Sequence, residues 1–81
     1  MSSIAVEYYN KKFGDNTQAA FIHLVREMGE IAYAMEKSIN EHAKLEITES
    51  IALLQFLASK YNLDVNANIE AIYSKKLAAL K

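Results

Sequence analysis

Proline is absent from this chain and glycine occurs only at Gly14 and Gly29, so almost nothing along its 81 residues interrupts a helix. Apolar residues recur at steps of three and four rather than in alternation, which selects helix over strand. Four helices fit. The expected fold class is all-α: two long central antiparallel helices with shorter N- and C-terminal ones, forming an oligomeric helical bundle. The first helix runs from Ser3 to Phe13 on Ile4, Val6, Tyr8 and Tyr9, and stops at the turn Gly14-Asp15-Asn16. The second starts after Asp15 or Asn16, either of which can accept from the free backbone N–H groups; Gln18, three residues beyond Asp15, suggests a capping box. It runs to about Lys37. Ser38, Ile39 and Asn40 loosen the pattern, and a third helix spans from near His42 to about Tyr61, with Asn62 suited to its C-terminal cap. Asp64 caps a fourth, Val65 to Leu80, whose Lys75, Lys76 and Lys81 complement the negative end of the helix dipole.

Residues 1–81 read as one domain, and a domain this small buries only about 60% of the surface its unfolded chain exposes. Yet 52% of the residues are hydrophobic, more than one short helical layer can hide. The surplus predicts a homo-oligomer, either a homodimer or a dimer of dimers. A net charge of −1 with no polybasic run argues against nucleic acid as a partner. With no cysteine, any metal must be held by oxygen or imidazole. No apolar run approaches the roughly 20 residues of a membrane span and no signal-peptide pattern opens the sequence, so the expected location is the cytoplasm.

Two acidic pairs stand out. Glu27 and Glu30 lie about one turn apart on the second helix, with His23 and Ala34 extending their stripe, beside an apolar stripe of Phe21, Leu24, Met28, Ile31 and Met35. Glu46 and Glu49 repeat the spacing on the third helix, among Leu45, Leu53, Phe56 and Leu57, while Ile47, Ile51, Leu54 and Ala58 fill another side. Isolated Glu-x-x-Glu pairs usually belong to solvated faces. Two of them on consecutive helices, both against apolar neighbours, are costly unless something positive neutralises them. Lys37 and Lys44 are the only lysines between Glu27 and Glu49, and Arg26 points away from the acidic stripe. A hard divalent cation is the natural counter-charge, and an all-oxygen set suits Mg²⁺ or Mn²⁺.

The segments Leu24-Val25-Arg26-Glu27-Met28-Gly29-Glu30-Ile31-Ala32 and Lys44-Leu45-Glu46-Ile47-Thr48-Glu49-Ser50-Ile51 resemble the MazG-like all-α nucleoside triphosphate pyrophosphohydrolases. That family carries Glu-Glu-x-x-Glu on one helix and Glu-x-x-Asp on the next. Here Arg26 replaces the leading glutamate and Glu49 the final aspartate, one methylene longer. The resemblance extends from about Phe13 to Leu77. It implies Mg²⁺-dependent hydrolysis of a nucleoside triphosphate, particularly a deoxynucleotide, to the monophosphate and pyrophosphate. By position, Glu27, Glu30, Glu46 and Glu49 would hold the metal, with Glu27 or Glu30 also accepting the proton of the attacking water. Lys75 and Lys76 stand where family members place basic residues against the phosphates. His23 is a candidate substrate contact, and Tyr9 and Phe13 are candidates to stack on the base, although aromatics at helical spacing equally build cores. Phosphoribosyl-ATP pyrophosphohydrolase shares a similar acidic signature. From a different class, a non-catalytic helical oligomerisation module would pair the glutamates with lysines across subunits.

Overall fold

The computed structural model describes residues 3–80. Among them the chain forms four α-helices and no strand: α1 (Ile4–Phe13), α2 (Thr17–Glu36), α3 (Asn40–Lys60) and α4 (Val65–Ala79). Helix order and type agree with the sequence expectation, and the ends move by one or two residues, most at α3, which starts at Asn40 rather than near His42. Three caps are side-chain oxygens accepting from a backbone N–H three residues on: Ser3 from Val6, Asn16 from Ala19 and Asp64 from Ala67. Asn16 therefore caps α2, and the Asp15–Gln18 capping box does not form. Asp15 is engaged elsewhere, with the Lys60 ammonium 3.3 Å from its carboxylate.

Both long helices end in the same device. At the end of α2, Ile39 N–H donates to the Ala34 carbonyl and Ser38 N–H to Met35; at the end of α3, Leu63 N–H donates to Ala58 and Asn62 N–H to Ser59. These are Schellman motifs, and they place Ser38 at φ 59° and Asn62 at φ 52°. Asparagine tolerates that conformation. Serine there has its Cβ crowded against the following carbonyl, at a cost of about 1–2 kcal/mol. Ser38→Gly is expected to stabilise the protein by about 1 kcal/mol in chemical denaturation, and a loss of stability would show that the Ser38 side chain contributes something the turn geometry does not reveal.

The short connection at 37–39 folds α2 back along α3, and this pair forms the main packing seam; α1 lies chiefly against α3. Along the seam the inward residues are Ala20, Leu24, Glu27 and Ala34 on α2, and Glu46, Ser50 and Leu53 on α3, all buried. Their steps of three, four and seven are those of a heptad seam between antiparallel helices. The expected apolar stripe of α2 is thereby split: Leu24 is buried and Ile31 half-buried, but Phe21, Met28 and Met35 are exposed. Small residues at Ala20 and Ala34 let the helices approach, and the larger side chains are left outside.

Phe56 and Leu53 are the largest fully buried side chains, and the core forms where Tyr9 of α1 meets them with Ala20 and Leu24. Lys60 ties the end of α3 to the C-terminal half of α1, donating to Asn10 at 2.8 Å with its ammonium 5.0 Å from the Phe56 ring centre. The fourth helix differs from the rest: it has no buried residue and no substantial packing against α1, α2 or α3. None of the described helices is long and apolar enough to cross a membrane.

Candidate metal centre

Three of the four glutamates singled out in the sequence converge across the α2–α3 seam. Glu27, Glu46 and Glu49 each offer a carboxylate oxygen, and these oxygens all lie within 4.8 Å of one another. Glu27 and Glu46 are 8% and 4% exposed, and Glu49 is half-buried. One oxygen on each of Glu27 and Glu46 has no hydrogen-bond partner, and neither has the buried hydroxyl of Ser50. Glu30 stands one turn from Glu27 but is exposed and is not among the clustered three.

Such an arrangement is costly as it stands. Two carboxylates at this separation repel by at least about 3 kcal/mol at an effective dielectric constant near 20. Among the described residues, the lysine ion pairs lie elsewhere, at Lys44–Glu41 and Lys60–Asp15. Among the described residues, the basic side chain paired with the cluster is His23, whose Nε2 lies 3.4 Å from an oxygen of Glu27. A metal ion held among the three carboxylates would offset this charge. The donor set is three carboxylates, with buried, unpartnered oxygens on Glu27 and Glu46, and it could hold a metal ion.

The wall of the site comes from α1. Tyr9 is buried, its ring 5.8 Å from Phe13 and 6.0 Å from Phe56, and Phe13 reaches within 6.1 Å of the His23 ring. Burial pushes the Tyr9 phenol above its ordinary range, and the negative charge of Glu49 adds to this, with smaller contributions from Tyr8 and Glu27. Tyr9 and Phe13 thus belong to the aromatic packing between α1 and α3, with Tyr9 close to the carboxylates. Lys75 and Lys76 sit exposed on α4, Lys76 over the ring of Tyr73, and the fold of a single chain does not bring them to the cluster.

Ser50 is a buried seam residue with an unpartnered hydroxyl that the acidic spacing does not single out. It lies four residues after Glu46, one turn along the same face, and a small polar residue at a seam position was the available signal. Compared with known proteins, the chain matches no family model, no curated protein and no solved structure.

Proposed function

We propose that this chain is a Mg²⁺-dependent hydrolase that cleaves a nucleoside triphosphate, particularly a deoxynucleotide, between its α and β phosphates, releasing the monophosphate and pyrophosphate. The observation that carries the metal is the set of buried, unpartnered oxygens of Glu27 and Glu46 beside the half-buried Glu49. The substrate class rests on the resemblance of the two glutamate segments to the MazG-like enzymes. Glu27, Glu46 and Glu49 would hold a divalent ion, which would supply positive charge to offset the negative charge that develops on the phosphates in the transition state.

The roles of the protein groups follow from their exposure. Glu27 and Glu46 are held by the seam itself, so their carboxylates need no reorganisation to receive a cation. His23 orients Glu27 from one turn earlier on α2. Glu49 is half-buried, and Glu30, exposed one turn from Glu27 on α2, is the carboxylate free to accept a proton from an attacking water. Glu49, where the family has aspartate, offers an oxygen to the same cluster as Glu27 and Glu46.

Incubation with each of the common dNTPs, NTPs and phosphoribosyl-ATP in Mg²⁺ is expected to yield equimolar monophosphate product and pyrophosphate from at least one deoxynucleotide, with the reaction stopped by EDTA. Release of orthophosphate alone, or of nothing, would sink the proposal. A preference for phosphoribosyl-ATP would keep the chemistry and replace the substrate. The wide apolar surface left uncovered on α2, α3 and α4 favours a second reading, in which the chain is an assembly module without catalysis. That reading predicts no saturable Mg²⁺ binding by calorimetry.

A further inference from the structure

Helix α3 carries three hydroxyls, on Thr48, Ser50 and Ser59, and two of them are satisfied within the helix. Thr48 donates to the Lys44 carbonyl and Ser59 to the Phe56 carbonyl, the local bonds that a helical threonine or serine ordinarily makes. Ser50 makes no such bond. The Glu46 carbonyl stands one turn behind it, yet Ser50 is 6% exposed and its hydroxyl has no hydrogen-bond partner. A buried hydroxyl left unpaired destabilises a fold, so one that bypasses the nearest backbone acceptor calls for a partner of another kind.

Two features place that hydroxyl level with the carboxylates. Along α3, Ser50 follows Glu46 by one turn and about 40° of rotation, and both residues are buried. Across the seam, α2 ends at Glu36 and α3 begins at Asn40, so the antiparallel helices come level at equal counts from the turn. Glu27 stands nine residues before the end of α2, and Glu49 and Ser50 stand nine and ten after the start of α3. The same register sets Leu24 against Leu53, and these two share the core cluster. It also agrees with the meeting of the Glu27 and Glu49 oxygens.

Donors and acceptors at this level do not balance. Among the described residues, the buried side-chain oxygens without a partner are one on Glu27, one on Glu46 and the Ser50 hydroxyl. Ionised carboxylates only accept, so of these three the hydroxyl alone can donate. The two oxygens of Glu27 also differ: Oε1 lies 3.4 Å from His23 Nε2, and Oε2 is the buried, unpartnered one. Glu27 is therefore held from its own helix and lacks a partner from α3, where Ser50 stands level with it.

We infer that Ser50 is a positioning residue for Glu27, its hydroxyl donating to Oε2 across the seam when the cluster holds a divalent cation, while His23 keeps Oε1. This role rests on reading the three carboxylates as a metal centre. A neutral donor fixes the orientation of a ligating carboxylate without adding charge, and the loss of such a partner costs about 10–100-fold in metal affinity.

The test is calorimetric titration of the full chain with MgCl₂ and with MnCl₂. Ser50→Ala keeps a small residue at the seam, and it is expected to bind each ion about 10–100-fold more weakly than wild type. Its metal-free melting temperature is expected to stay level or rise, because a buried unpaired hydroxyl has been removed. Thr48→Ala, whose hydroxyl is already paired within its own helix, is expected to bind as wild type does. Unchanged affinity in Ser50→Ala would show Ser50 to be a packing residue and overturn the inference while leaving the metal centre in place. A fall in its metal-free melting temperature would mark the hydroxyl as structural and overturn the inference equally. Absence of saturable binding to the wild type would overturn the metal centre and Ser50's role together. Because Ser50 and His23 act on one carboxylate, the double variant Ser50→Ala, His23→Ala is expected to lose less affinity than the product of the two single losses. Losses that multiply would detach Ser50 from Glu27 and overturn the assignment.

Discussion

Glu46→Gln is expected to raise the melting temperature of the metal-free protein and, in the same molecule, to abolish the stabilisation that Mg²⁺ gives. The two effects have one cause. Glu46 is 4% exposed, with one carboxylate oxygen unpartnered and the oxygens of Glu27 and Glu49 within 4.8 Å. Removing one of three converging charges relieves two repulsive pairs, and an amide N–H in its place can donate to the carboxylates that remain. After relaxation and partial hydration, a gain of about 1–3 kcal/mol is reasonable for neutralising such a group. For a domain of this size each kcal/mol corresponds to about 4–8 °C in melting temperature. With Mg²⁺ present the order reverses: the wild type gains from the ion, the variant loses one of its ligands, and turnover falls more than about tenfold. Melting curves in EDTA and in saturating Mg²⁺ read both effects. A variant less stable than wild type in EDTA yet equally stabilised by Mg²⁺ would place Glu46 in an ordinary structural role and remove the metal centre.

Much of this was legible in the sequence, for identifiable reasons. The absence of proline and the turn signals at Gly14-Asp15-Asn16 and Asn62-Leu63-Asp64 left few places for helices to end, so their order and approximate limits follow from the chain alone. The i, i+3 spacing of Glu46 and Glu49, and the apolar residues around them, pointed to a costly acidic group, and the structure brings three of the four glutamates together. What did not follow was which face of α2 turns inward. Hydrophobicity favours Phe21, Met28 and Met35, but close approach of two helices is governed by residue size, and Ala20, Leu24, Glu27 and Ala34 form the narrower seam. That choice buries Glu27 and leaves Glu30, a rotation of about 60° away on the helix, in solvent. The placement of Lys75 and Lys76 was equally out of reach, because among the described residues α4 has no substantial packing against α1, α2 or α3 and helical periodicity does not name a partner for it.

Phe56→Ala is expected to be the most damaging single truncation in the chain. Phe56 is fully buried and joins three parts of the fold: its ring meets Tyr9 and Phe13 of α1 at centroid distances of 6.0 and 6.3 Å, and the Lys60 ammonium lies 5.0 Å above it. Truncation of a buried phenylalanine costs about 3–5 kcal/mol through lost transfer energy and the cavity left behind. A chain this short has about 4–12 kcal/mol of stability to lose, so the melting temperature should fall by more than about 12 °C if the fold survives. The damage should also be local before it is global. Helix α1 packs chiefly on α3, with Phe56 as the aromatic anchor, so amide hydrogens of α1 should exchange faster than those of the α2–α3 seam in native-state hydrogen exchange. Ile4→Ala is the control on the same helix: its side chain is 86% exposed, and truncation should change stability by no more than about 0.5 kcal/mol. Because α1 supplies Tyr9 and Phe13 to the wall of the carboxylate cluster, its release also opens that cluster to water without altering any of the three glutamates. Mg²⁺ should therefore still bind a folded Phe56→Ala protein, while turnover falls with the loss of the wall. Equal protection of α1 and the seam in the variant, or a stability loss under 1 kcal/mol, would show that α1 is held by contacts other than this aromatic junction.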